Sequence, residues 1–233
     1  IGGIIVVAWI LSSVFFCTPD DMKLMEMAKT SDVVSDTQRK KDYTSGEMMR
    51  TKSFHLLVAT MMFGLLAYFL LSPVSQTYQI GMGIPMSAAV FSVMAGSLVN
   101  ASARLITPVI ADKLGRIACV RWILIVLIVA MAVLAVSHSY VVTVLVIVVY
   151  GCYGGIMGNF PSLTSSIFGI EHAGENYGYV MFGMVAATFG APMITSIMNK
   201  MGYGMQHVFA VGAVFAALAL VCLMMLNCIK KKS

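Results

Sequence analysis

Between residues 54 and 229 the chain passes through six stretches apolar enough and long enough to cross a bilayer, and that succession constrains the fold most. A spanning helix needs about 20 apolar residues. The segments 54–74, 86–111, 118–136, 140–168, 177–198 and 208–229 meet the requirement, and 1–16 is a shorter seventh run. Backbone N–H and C=O groups in hydrocarbon must be satisfied within their own segment, so each stretch is expected to be a helix. The expected fold is an all-α membrane protein: a six-helix bundle over 53–229, preceded in 1–17 by the end of one further transmembrane helix. Ile1 lies inside an apolar run with no charged start of the kind a signal peptide carries. More of the same protein is therefore expected upstream.

Composition supports an integral membrane protein, with 59% hydrophobic and 11% charged residues against about 25% charged in a soluble domain. Residues 18–52 hold seven acids and seven bases. Poor in aromatics and rich in Ser and Thr, this segment reads as a flexible linker. Residues 42–50 are the expected place for a short amphipathic helix, although Ser45 and Glu47 stand too close for a capping box. Residues 230–233 form a basic tail.

Positive residues mark the cytosolic side. One side receives the linker, the 112–117 loop with Arg121, the 169–176 loop and the tail, and holds thirteen of the fifteen bases. The other receives 75–85, 137–139 and 199–207 and holds Lys200. Linker and C-terminus are thus expected in the cytosol, in a multi-pass protein of the plasma membrane rather than of an organelle.

The charge excess is no nucleic-acid signature, because no basic patch is interleaved with aromatics. Scattered Cys and His residues have no ligand spacing, so no metal or cofactor is expected. No nucleophile elbow, phosphate loop or paired carboxylate appears, and enzyme chemistry is not expected.

Asn100-Ala-Ser-Ala-Arg104 places an arginine inside the second complete span. Such a group is costly at membrane depth and either snorkels to the headgroups or lines a water-filled path, here one for anions. Asn100 lies one turn earlier on the same face. The span ends in Asp112-Lys-Leu-Gly115-Arg116, where the Asp can cap or pair, the Gly allows a tight bend and the Arg can bridge to a neighbouring helix end. It is either a solvated positive loop or a gating element. Gly151-Cys-Tyr-Gly154-Gly155-Ile-Met-Gly158-Asn159-Phe-Pro161 allows close helix approach and bends its helix. Tyr150, Tyr153 and Asn159 are candidate cavity residues there, with packing as the other reading. Pro192 is expected to kink the next span, which Glu175 and Asn176 would begin, Asn176 as a cap.

Together these residues resemble the major facilitator superfamily and, within it, the oxalate/formate antiporter family. That family's Asn-Gly-x-Gly-Arg and Ser-Asp-x-x-Gly-Arg are matched by Asn100–Arg104 and Ala111–Arg116. Its later pattern is matched by Gly154-Gly155, Pro161, Phe168-Gly169 and Asn176-Tyr177-Gly178, and its lead into the seventh helix by Glu47–Phe54. The resemblance implies family helices 7 to 12, an N-terminal six-helix half outside this sequence, and a small organic anion as substrate in secondary transport. In members that exchange oxalate, an arginine on the eighth helix works with a lysine on the eleventh. Arg104 matches the arginine, but Met184 stands about where the lysine would be. A monocarboxylate is then the expected substrate. The alternative is a membrane receptor-like or assembly subunit that keeps the fold without transporting.

Overall fold

The computed structural model describes residues 42–137 and 140–232, with side chains through Ile229. Among the described residues the chain is helical and has no strand. The expected end of a further span in 1–17, and the linker as far as residue 41, lie outside the described residues.

The chain enters through α1 (Ser45–Met49), whose capping box was not legible from Ser45. Thr44 is the N-cap and Glu47 the N3 residue, and each side chain bonds the other's backbone N–H. Residues 42–51, counted with the linker in the sequence reading, are anchored. Asp42 Oδ1 accepts from Ile170 N at 3.0 Å, and Tyr43 packs edge-on against Phe168. Buried Ser45 donates to Asn176 Oδ1 at 3.0 Å, and Asn176 Nδ2 donates to the Tyr43 carbonyl at 3.0 Å. Asn176 is therefore no helix cap. The helix that carries it starts earlier, at Ala173, and buries the amide as the clasp for residues 43–45.

The spans follow as α2 (Lys52–Leu71), α4 (Met86–Leu114), α5 (Arg116–Val136), α6 (Val141–Phe168), the pair α7 (Ala173–Val180) and α8 (Phe182–Lys200), and α9 (Met205–Lys232). Among the described residues six helical stretches have the length and hydropathy to cross a membrane. Hydrogen bonds from Met181 N to Tyr177 O and from Val185 N to Met181 O carry the helical register across the α7–α8 junction.

The 75–85 connection is more ordered than its polarity suggested. After a single 3-10 turn at Ser72–Val74, where Pro73 cannot donate, α3 (Ser75–Gly81) continues the helix. Two of its polar residues, Ser75 and Gln79, are buried because they pair. Gln79 donates to Ser92 Oγ at 2.9 Å and accepts from Thr143 Oγ1 at 3.1 Å. This cluster ties α3, α4 and α6 together at the end opposite α1. Gln79→Leu is expected to lower stability by about 1 kcal/mol, the usual worth of such bonds in helical membrane proteins. The thermal midpoint of the purified protein checks this, and an unchanged midpoint would make the cluster ornamental.

Inside a bilayer helices gain little from hydrophobic burial against one another, so small residues and shape decide which faces meet. α2 packs against α8 and α9, α9 against α5, and α6 against α5 and, most extensively, α4. Leu57, Met61 and Leu65 meet Leu124, Leu127, Ile156, Phe160 and Leu223 in the core. Half of the spanning stretch of α2 is buried, against 17% of α4 and 22% of the α7–α8 pair. α4 and α8 thus keep open faces, and Arg104 lies on one of them.

Candidate functional site

Two backbone features place Arg104. Pro108 lies one turn later inside α4 and has no N–H, so the Arg104 carbonyl lacks its intrahelical donor. Gly158 of α6 faces that carbonyl so closely that a Cβ there would stand 2.7 Å from the oxygen and 2.9 Å from the Arg104 Cα. One turn earlier, a Cβ on Gly154 would collide with the Asn100 carbonyl and come within 2.6 Å of its Oδ1. Gly154 and Gly158 are spaced to form one smooth strip of α6, and α4 lies directly on it. The Gly run is thus a seam that sets the position of Asn100 and Arg104.

The Arg104 side chain is exposed on the open face of α4. Its Nε donates to Asn100 Oδ1 at 3.3 Å, and its guanidinium carbon lies 5.4 Å from the centroid of the Tyr153 ring. A cation over a ring face is attracted by the ring quadrupole, which holds the group without neutralising it. Among the described residues no carboxylate pairs with Arg104, and its two terminal nitrogens make no hydrogen bond. Four N–H donors therefore remain for a ligand.

Beneath Tyr153 is an aromatic cluster that sequence reasoning found only in part. Tyr153 stacks on Tyr68 with centroids 4.0 Å apart, and Tyr150 meets Tyr68 edge-on at 5.1 Å. Ser72 Oγ bonds Tyr68 Oη at 3.3 Å and Tyr150 Oη at 3.2 Å. Tyr150 fits here because Gly96 has no Cβ, which would stand 3.0 Å from the ring. Tyr177 lies within electrostatic reach of both Arg104 and Tyr153. Tyr68 and Ser72 went unremarked, although a Tyr and a Ser one turn apart in an apolar span were a usable signal. Tyr150 and Tyr153 are mostly buried supports of the arginine.

Asn159, read as a cavity candidate, is fully buried and does not join this group. Its Nδ2 donates to the Gly155 carbonyl at 2.8 Å within α6, and among the described residues its Oδ1 has no hydrogen-bond partner. Pro161 is exposed within a helix that runs on to Phe168. Pro192 is exposed as well and lines a cavity of about 560 Å³ with Phe69, Pro73, Ser196, Asn199 and Lys200. Phe69 also meets Tyr153 edge-on at 5.9 Å, so cavity and aromatic cluster share a wall.

At the other end of α4, Gly115 alone separates α4 from α5 and has φ +91° and ψ 132°, a conformation L side chains rarely adopt. Arg116 then points across to α6, donating to the Ser162 carbonyl at 2.9 Å. Its contact with Asp112 is longer, 3.5 Å between side chains that are 36% and 65% exposed, and contributes little in water. The turn thus ties the junction of α4 and α5 to α6, mainly through Arg116 and the Ser162 carbonyl. Gly115→Ala is expected to destabilise by about 1–3 kcal/mol through backbone strain alone, because no neighbour lies within 4 Å of the added methyl. A thermal midpoint equal to wild type would show that the turn tolerates other backbone angles.

The sequence profile of the Major Facilitator Superfamily matches residues 1–190. The chain is 27% identical over 197 residues to the oxalate:formate antiporter of Oxalobacter formigenes, covering 83% of this chain and 46% of that protein. It is 30% identical over 154 residues to an uncharacterized MFS-type transporter of Escherichia coli (strain K12), YhjX, covering 61% of this chain and 36% of that protein. The chain spans less than half the length of the curated relatives it matches.

Proposed function

We propose, since this chain belongs to the Major Facilitator Superfamily, that it forms the C-terminal half of a secondary transporter for a small organic anion, with Arg104 as the charge that receives the substrate. One observation carries this reading: Arg104 is propped by Asn100 and Tyr153 yet has no acidic partner among the described residues, and its terminal N–H groups are unengaged. An arginine so held matches a carboxylate with two parallel hydrogen bonds. The open faces of α4 and α8 are where an N-terminal six-helix half would close the path. A relative is named for oxalate and formate, which supports a carboxylate substrate.

Within that reading, Asn100 orients the guanidinium, and Tyr68, Ser72, Tyr150 and Tyr153 fix its height. Asp112, Gly115 and Arg116 hold the α4–α5–α6 turn during alternating access and bind no substrate. Water competes with any anion at so exposed an end, so substitutions there reduce turnover more than affinity. We place the linker and the C-terminus in the cytosol, on the side of the thirteen bases.

Met184 stands near the start of α8 in place of a second cation. A single cation suits a monocarboxylate, and Met184→Lys is expected to shift preference toward oxalate by about tenfold. Uptake of labelled formate and oxalate into vesicles bearing the full-length protein tests both claims. Failure to take up formate, oxalate or any other small carboxylate would sink the transport reading. Strong oxalate uptake by the wild type with weak formate uptake would sink the single-cation argument alone.

A further inference from the structure

Arg121 is a cation that the site around Arg104 does not use. It is the sixth residue of α5 and so lies about 7.5 Å along the helix from its start. Its direction differs from that of Arg116: five residues on, it has turned away from α6 and toward α9. There it lines a cleft of about 70 Å³ with Ile117, Leu223, Met224, Asn227 and Cys228. Among the described residues Arg121 has no hydrogen bond and no carboxylate partner, since Asp112 pairs with Arg116. Trp122, next in the chain, is 60% exposed. An outward Trp at a helix end marks the depth of the lipid headgroups. The cleft therefore opens where phosphates lie.

We propose that the Arg121 cleft binds the phosphodiester of one anionic phospholipid, in the leaflet on the side of the linker and the C-terminus. Arg121 supplies two parallel donors to the phosphate oxygens, and Asn227 on the facing helix supplies a neutral one. The cleft has room for that group and no more. The acyl chains lie outside it, along the exposed Val221, Met224 and Met225 of α9. Lys230-Lys231-Lys232 follow Asn227 by three to five residues in sequence. Basic residues clustered just outside a span favour a headgroup with net negative charge over one whose phosphate is shadowed by its own ammonium. The inference requires only that the chain spans a membrane. It does not depend on what, if anything, is transported, so its failure leaves the proposed function untouched.

Native mass spectrometry of the full chain in detergent, with equal amounts of phosphatidylglycerol and phosphatidylcholine, tests the site. One retained phosphatidylglycerol is expected per chain, favoured about fivefold over phosphatidylcholine for the arginine contact. Arg121→Gln should erase the preference, whereas Arg121→Lys should keep most of it. Asn227→Leu, which leaves the charge in place, should weaken the adduct about threefold and serves if Arg121→Gln does not fold. Equal retention of the two lipids, a preference that survives Arg121→Gln, or an adduct that Asn227→Leu leaves undiminished would overturn the proposal. So would complete displacement of the lipid by glycerol phosphate, which would make the cleft a site for soluble anions.

Discussion

Arg104→Gln is expected to reduce uptake about 10- to 100-fold while the protein remains folded. The magnitude is that of one charge-assisted hydrogen bond to the substrate, about 1.5–3 kcal/mol when a charged partner is lost. The folded state loses far less. Arg104 is exposed, its bond to Asn100 is long at 3.3 Å, and its guanidinium carbon lies 5.4 Å from the Tyr153 ring centroid. Contacts of that kind are worth about 0.5–1 kcal/mol, so the thermal midpoint should barely move. Arg104→Lys keeps the charge without the planar fork and should fall between the two. Full uptake by Arg104→Gln would remove the arginine from the substrate path. A loss of uptake that tracks an equal loss of folded protein would favour the assembly-subunit reading.

The second large effect is structural. Gly158→Val should destabilise the protein by about 1–3 kcal/mol, the range for inserting atoms into a packed seam. The added Cβ would stand 2.7 Å from a backbone oxygen of Arg104, and backbone cannot step aside as a flexible side chain can. α4 must move away from α6 and carry Arg104 with it, so transport should fall together with stability. Gly154→Ala presses in the same way on Asn100. Gly174→Ala and Gly178→Ala are the controls, because nothing lies within 4 Å of either added carbon. Thermal unfolding of the four variants separates the two pairs. Equal midpoints across them would mean that α4 and α6 are less closely seated than this structure shows.

Hydropathy alone determined the all-helical class and the approximate position of the six described spans, because a bilayer leaves a long apolar segment no other way to satisfy its backbone. It also singled out Arg104, since a charge among apolar residues is conspicuous at any resolution. The Asp112–Arg116 turn was legible for the same kind of reason: only glycine reaches the backbone angles found at Gly115. What tertiary structure alone decided depends on pairing between distant residues. Gln79 looked like loop because its polarity was visible and its partners, Ser92 and Thr143, were not. Asn176 looked like a cap because the residues it clasps, Tyr43 and Ser45, lie about 130 positions away. Asn159 was an attractive cavity residue until the helix rotated it inward, and Tyr68 and Ser72 became part of the site only when α2 came to lie beside α6. Periodicity states which residues share a face of one helix. Which face meets which neighbour inside a membrane is decided by the fit of small residues such as Gly154 and Gly158 against a particular backbone, and that fit has no signature in a single sequence beyond the glycines themselves.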